Sequence, residues 1–234
     1  MNTQQLNETI SKTLTAWNIP GGAVAVVQGD EVFAQGYGVL EAGKPEAVDA
    51  DTVFAIGSTT KAFTSALIGM LVDEGKLNWD DPVIKHLPDF QLYDDWITKN
   101  VTVRDLLCHR LGLERAQKLY YHRGYDQREI MRRMRYLRPT SSFRTQFQYA
   151  NQQYGVAGLL IEAVTGKSWD DFITERIFNA LNMSRSFSGY DRITDHKNFA
   201  SPHAVADETY PAGVRFLGDQ KPTDQFKIVH EPAG

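Results

Sequence analysis

The sequence predicts an α+β chain, and three observations carry that expectation. Two short β-rich runs near the N-terminus flank a Gly29-Asp30 turn signal. From about residue 58 to 185, apolar residues recur at helical spacing between capping and stop signals. Strand and helix signals are segregated along the chain, which favours an antiparallel sheet with a helical layer over an alternating parallel fold.

The elements follow in order. Residues 3–17 pattern as an amphipathic helix ending before Asn18-Ile19-Pro20-Gly21-Gly22. Ala23–Gln28 and Glu31–Gly38 then form a β-hairpin across Gly29-Asp30. A lone hairpin is marginally stable, so other strands are expected to complete its sheet. Residues 40–52 are loop, and Ser58 to Glu74 is a helix with Phe63, Leu67, Met70 and Leu71 on one side and Gly75 as its stop. Thr102-Val-Arg-Asp105 has the form of a capping box, and Asp126-Gln-Arg-Glu129 opens a helix to about Leu137. Residues 151–165 form a helix closed by Gly166, and Ser168-Trp-Asp-Asp171 caps another to about Leu181. The tail from about 186 is polar and irregular. The expected organisation is one domain over 1–234, with a sheet part at 1–57, a helical part at 58–185 and the tail at 186–234.

Bulk composition narrows the function. The 234 residues are enough for a sizeable core, and 42% hydrophobic with 23% charged residues is ordinary for a globular protein. A net charge of -4 gives no electrostatic reason to expect nucleic acid or a membrane surface. The single cysteine, Cys108, excludes an intramolecular disulfide and a cysteine-based zinc site. The N-terminus has no basic segment followed by an apolar one, so the chain reads as cytoplasmic, or as periplasmic or secreted if a signal has been removed.

The chemistry concentrates at Ile56-Gly57-Ser58-Thr59-Thr60-Lys61. A serine at a helix start meets free N–H groups and the positive dipole end, which favour developing negative charge. The i, i+3 spacing sets Lys61 on the face of Ser58. Serine needs an adjacent base to act as a nucleophile, and a lysine serves when burial lowers its pKa. The same residues also fit a serine N-cap followed by a solvated lysine. A second pattern, Tyr149-Ala150-Asn151, supplies a phenol able to relay a proton and a carboxamide able to hold an amide-like substrate. The plain alternative there is a buried aromatic with an asparagine N-cap, and Asn151 is free to do both.

With these motifs in view, the sequence resembles the serine β-lactamase-like family of class C β-lactamases, D-Ala-D-Ala carboxypeptidases and related esterases. Ser58-Thr59-Thr60-Lys61 is similar to its S-x-x-K element and Tyr149-Ala150-Asn151 to its Y-x-N element. Further blocks look like family segments: Ile19–Val27, Phe54–Ser58, Leu71–Val83, Val101–Leu113 and Tyr154–Glu162. The resemblance spans about 15–190. It implies a β-lactamase/transpeptidase-like fold and an acyl-enzyme mechanism without a cofactor, acting on a small-molecule or peptide substrate with a carbonyl. In that mechanism Ser58 is the nucleophile, Lys61 and Tyr149 move protons, and Asn151 helps hold the substrate. The oligomeric state is left open. A non-catalytic sensor that is merely acylated is the alternative.

One departure qualifies this expectation. The family's third motif, Lys/His-x-Gly, has no counterpart, since His203-Ala-Val, Lys221-Pro-Thr and His230-Glu-Pro all lack the glycine. The chain thus reads as incomplete at its C-terminus, with the remaining sheet strands and half of the oxyanion hole missing. Other features are expected to be structural. Arg123, Arg128, Arg132, Arg133, Arg135, Arg138 and Arg144 read as a solvated face balanced by acids. The six histidines lack metal spacing, His109 reads as a structural hydrogen-bonding residue, and Cys108 as a small core residue. Tyr120, Tyr121 and Tyr125 either line an acyl pocket or pack on the surface.

Overall fold

The computed structural model describes residues 2–116, 119, 124–205 and 220–222. Tyr120, Tyr121, His122, Arg123 and His230 lie outside them. The described residues fall into two compact units, one drawn from 2–55, 185–205 and 220–222, the other from 56–116, 119 and 124–184.

The first unit opens with helix α1, Thr3–Ala16, whose N-cap Asn2 accepts the Gln5 N–H through its side chain. Strands β1, Gly21–Gln28, and β2, Glu31–Gly38, then pair antiparallel in a regular register from Gly21↔Gly38 to Gln28↔Glu31. The sequence-expected hairpin is therefore present, with Gly29 at φ +59° in its turn. The described residues of the tail, 186–205 and 220–222, hold short regular elements that composition does not suggest. Residues 196–198 form a 3₁₀ turn, and β3, His203–Val205, pairs antiparallel with β4, Gln220–Pro222. Ala200, Leu40 and Val48 form a small buried cluster with Phe54 against it. Around it, Thr52 Oγ1 donates to Asn198 Oδ1 at 2.6 Å, and Ala200 N–H donates to Val53 O at 3.0 Å.

The second unit holds the main core. Gly57–Thr59 make a 3₁₀ turn that runs directly into α2, Thr60–Asp73. Gly57 sits at φ +51° with open space around its missing Cβ, so its role is the left-handed turn and not a close backbone approach. Helices α3, Val83–His86, α4, Asp95–Asn100, and α5, Val103–Leu107, follow, then α6, Gln127–Arg133. Thr102 and Asp105 form a complete capping box at α5. Helix α7, Asn151–Thr165, is buried from Asn151 to Ile161 and ends at Gly166 in the left-handed conformation. Helix α8, Trp169–Ile173, passes into a π turn over Thr174–Phe178, so the expected helix to Leu181 is shorter and changes type.

Leu67, Ile68 and Leu71 of α2 pack with Leu106, Met131, Val156 and Leu160 in one cluster. Cys108 is exposed and is not a core residue. Helical spacing explains this, because Val103 and Leu106 point inward while Arg104 and Cys108, four apart, share the outward face. Gly112 is closely packed against backbone in this unit. At φ +76°, a Cβ there would lie 2.3 Å from the Ser141 carbonyl oxygen. Gly112→Ala is expected to destabilise the chain by at least about 2 kcal/mol, read as a lowered urea midpoint with unchanged slope.

Candidate active site

The 3₁₀ turn leaves Ser58 exposed at the mouth of α2 while the next turn carries Lys61 inward, where it is 7% exposed. Burial of Lys61 removes the reading of a serine cap followed by a solvated lysine. Lys61 Nζ donates to Ser58 Oγ at 3.1 Å and to Asn151 Oδ1 at 3.0 Å. Tyr149 OH donates to the same Ser58 Oγ at 2.5 Å. Lys61 and Tyr149 thus meet at the Ser58 hydroxyl and Asn151 joins them through Lys61, although Tyr149 and Ser58 are 91 residues apart in sequence.

Asn151 does not cap α7. The N-cap position is Ala150, which makes no side-chain cap bond, and Asn151 is the first helical residue with its carboxamide turned to Lys61. Local propensity loses here because a buried ammonium is the stronger partner for the Asn151 oxygen.

Electrostatics around Tyr149 are set by cations. Burial opposes ionisation of its phenol, but the Lys61 ammonium, the Ser58 hydroxyl and the Arg115 charge together hold its pKa below the ordinary value. Lys61 Nζ lies 4.7 Å from the Tyr149 ring centroid and the Arg115 guanidinium carbon 5.4 Å from it.

Sequence reasoning gave His109 a structural hydrogen bond, and that bond exists: Ala150 N–H donates to His109 Nδ1 at 3.2 Å. What the sequence did not disclose is where the imidazole sits. Its ring centroid lies 4.7 Å from that of Tyr149 and 5.3 Å from that of Tyr154. Burial, reinforced by the Lys61 charge, pushes its pKa down to about 4.

The loop before Tyr149 is tied to the segment after α5. Arg144 places two of its guanidinium nitrogens on Asp105, Nε at 2.9 Å from Oδ1 and one terminal nitrogen at 2.6 Å from Oδ2. Arg144 N–H donates to Arg110 O at 2.8 Å and Gln148 N–H to His109 O at 2.7 Å.

The remaining arginine run is largely engaged. Arg128 pairs with Glu162 at 3.1 Å, Arg133 with Glu129 at 2.8 Å, and the Arg133 guanidinium lies 4.0 Å over the Tyr125 ring. Among the described residues, no three His, Cys, Asp or Glu side chains are grouped as metal ligands. No helix among them is long and apolar enough to cross a membrane.

A hairpin followed by a helical layer, with a serine, a lysine and a tyrosine gathered at the start of its central helix, is the layout of the β-lactamase/transpeptidase-like fold. The sequence profile of the Beta-lactamase family matches residues 6–220, and the chain belongs to that family. It is 39% identical over 194 residues to an unguisins hydrolase of Aspergillus campestris (strain IBT 28561), a match covering 79% of this chain and 36% of that protein. It is 32% identical over 175 residues to penicillin-binding protein 4 of Amycolatopsis lactamdurans, covering 74% of this chain and 46% of that one. Among solved structures, the octameric penicillin-binding protein homologue from Pyrococcus abyssi superposes with a TM-score of 0.80 at 24% identity, covering 99% of this chain and 52% of that one. The D-amino acid amidase from Ochrobactrum anthropi SV3 gives 0.76 at 25% identity, over 95% of this chain and 64% of that one. The chain therefore spans less than half the length of these curated relatives.

Proposed function

We propose that this chain carries the nucleophile half of a serine hydrolase site that acts through an acyl-enzyme on an ester or amide carbonyl. The observation that carries this reading is the Ser58 hydroxyl, which receives hydrogen bonds from both Lys61 and Tyr149. In the reactive state one member of this Lys61–Tyr149 pair is deprotonated, as a neutral amine or a phenolate, and takes the Ser58 proton as Oγ attacks the carbonyl carbon. The pair then returns a proton to the departing alcohol or amine. Against the effect of burial, Lys61 and Ser58 hold the Tyr149 pKa below its ordinary value, which favours the phenol as a proton carrier.

Asn151 has its oxygen committed to Lys61, so its Nδ2 group is what it offers to a substrate carbonyl. The Ser58 backbone N–H is one donor to the developing oxyanion, and a second is expected from a strand that a Lys/His-x-Gly segment would occupy. The chain spans 36% and 46% of the length of the two curated relatives above, and turnover by these residues alone is expected to be weak. Relatives named for unguisins hydrolysis, penicillin binding and D-amino acid amide hydrolysis favour an amide or peptide substrate. The relative named for penicillin binding supports one second reading, a domain that is acylated and releases the acyl group slowly.

Intact mass after exposure to a fluorophosphonate or a penicillin tests the proposal. A single adduct mapped by digestion to the peptide holding Ser58 is expected. Adduct that persists for hours marks the sensor reading, and folded protein that takes no label overturns both.

A further inference from the structure

We infer that His109 is the positioning residue for Tyr149, holding the tyrosine through the backbone N–H groups of the residues on either side of it. The inference rests on Tyr149 acting at Ser58 as proposed above. Three contacts come from this one residue. Its carbonyl oxygen accepts the Gln148 N–H at 2.7 Å, on the N-terminal side of Tyr149. Its Nδ1 accepts the Ala150 N–H at 3.2 Å, on the C-terminal side. Its ring packs at 4.7 Å, tilted by 37°, against the Tyr149 ring. The residue gripped by Nδ1, Ala150, is the one that joins Tyr149 to Asn151, so both ends of the Tyr149-Ala150-Asn151 motif meet at it.

The backbone is shaped for this grip. His109 has φ +55°, a left-handed conformation that directs its carbonyl and its side chain to the same neighbouring segment. Histidine, asparagine and aspartate are the non-glycine residues most often found there. His109 itself is buried, at 6% exposure, with Phe147 and Tyr154 completing its aromatic surroundings.

The grip requires a neutral imidazole. Only an unprotonated Nδ1 can accept the Ala150 N–H, which places the proton on Nε2. Two charged groups face this cluster: the Lys61 ammonium, 4.7 Å from the Tyr149 ring and 5.4 Å from the Tyr154 ring, and the Arg115 guanidinium, 5.4 Å from the Tyr149 ring. A further cation on His109 would be opposed by Lys61, and the low pKa of about 4 agrees with this. Burial keeps the positioning histidine neutral first, and the Lys61 charge that holds the nucleophile's hydroxyl reinforces it.

Asparagine and leucine at this position separate positioning from mere packing. The Asn side-chain oxygen falls where Nδ1 lies, and Asn tolerates the positive φ; Leu fills space but accepts nothing. With His109→Asn, the fluorophosphonate labelling rate at Ser58 is expected to stay within about threefold of the parent. With His109→Leu it is expected to fall at least about tenfold. The Tyr149 phenol, followed by NMR of ring-labelled tyrosine and assigned with Tyr149→Phe, should titrate as in the parent for Asn and move up toward its ordinary value for Leu. Equal labelling and equal Tyr149 titration in a folded Leu variant overturn the inference. A parent that takes no label while Tyr149 titration still separates the two variants refutes the nucleophile and leaves the positioning role standing. Should the Leu variant not fold, nitrogen NMR of the unmodified chain decides: a His109 tautomer protonated on Nδ1 at neutral pH overturns the inference, and one protonated on Nε2 supports it.

Discussion

Lys61→Met is expected to slow covalent labelling of Ser58 by on the order of 10³-fold, against complete loss in Ser58→Ala, with the fold retained. Methionine keeps the length and apolar body of the lysine and removes its three donors. The effect is large because Nζ serves several groups at once. It bonds Ser58 Oγ and Asn151 Oδ1, and it stands over the Tyr149 ring. Losing it withdraws one of the two groups that can take the serine proton. It also frees the Asn151 carboxamide to rotate and removes a cation that lowers the Tyr149 pKa. Stability is expected to hold or rise, since a buried ammonium is expensive to desolvate and an apolar chain of similar volume is not. Lys61→Arg supplies the control. A guanidinium keeps positive charge but does not act as a base, so labelling should stay slow although the charge near Tyr149 persists. Rates of labelling, with circular dichroism melts beside them, check both. A loss below about tenfold in Lys61→Met would leave Tyr149 as the principal base.

How much of this site could be read from the chain depends on how local each signal is. Ser58 and Lys61 are three residues apart at a helix start, so helix geometry alone puts them together. The hairpin, the Thr102–Asp105 capping box and the Gly166 stop were equally local, and each is present. Tyr149 joins Ser58 across 91 residues, and no periodicity encodes that contact; it was visible only through resemblance. Local rules misled where a distant partner was stronger. Asn151 occupies a favourable capping position in sequence, yet Lys61 takes its side chain and α7 starts without a side-chain cap. The three-residue strands β3 and β4 are too short to show alternation, so that part of the tail read as irregular. His109 looked structural because a lone histidine beside leucines carries no sign of which chain segment packs on it. The one available hint was its place inside a family-like block.

Asp105→Ala is expected to be the most damaging single substitution outside the site, destabilising the chain by about 2–4 kcal/mol and slowing Ser58 labelling as a consequence. The Asp105 carboxylate completes the capping box, taking the Thr102 N–H at 2.9 Å and the Thr102 hydroxyl at 2.8 Å, and it receives two Arg144 nitrogens. Its side chain is 10% exposed while that of Arg144 is 45% exposed, so water screens part of the pair and the lower half of that range is favoured. Removing the carboxylate releases Arg144, which sits at φ +64° five residues before Tyr149, and the peptide links from Arg110 to that loop lose their anchor.

The pH dependence distinguishes this anchor from His109. Burial opposes ionisation of Asp105, but Arg144 and Thr102 outweigh it and hold the carboxyl below the ordinary carboxylate range. Its stabilisation is therefore complete above the unfolded pKa of about 3.9 and disappears as pH falls through the lower folded value. His109 has its pKa lowered from 6.5 to about 4, so the unfolded chain takes up a proton first and stability falls between those two values. Urea midpoints at pH 7, 5 and 3.5 should then separate the two. His109→Asn should flatten the fall from pH 7 to 5 and keep the later one. Asp105→Ala should start lower at pH 7, keep the earlier fall and lose the steeper part below pH 4. The same dependence in both variants would mean that neither residue governs the acid response of the segment that delivers Tyr149 to Ser58.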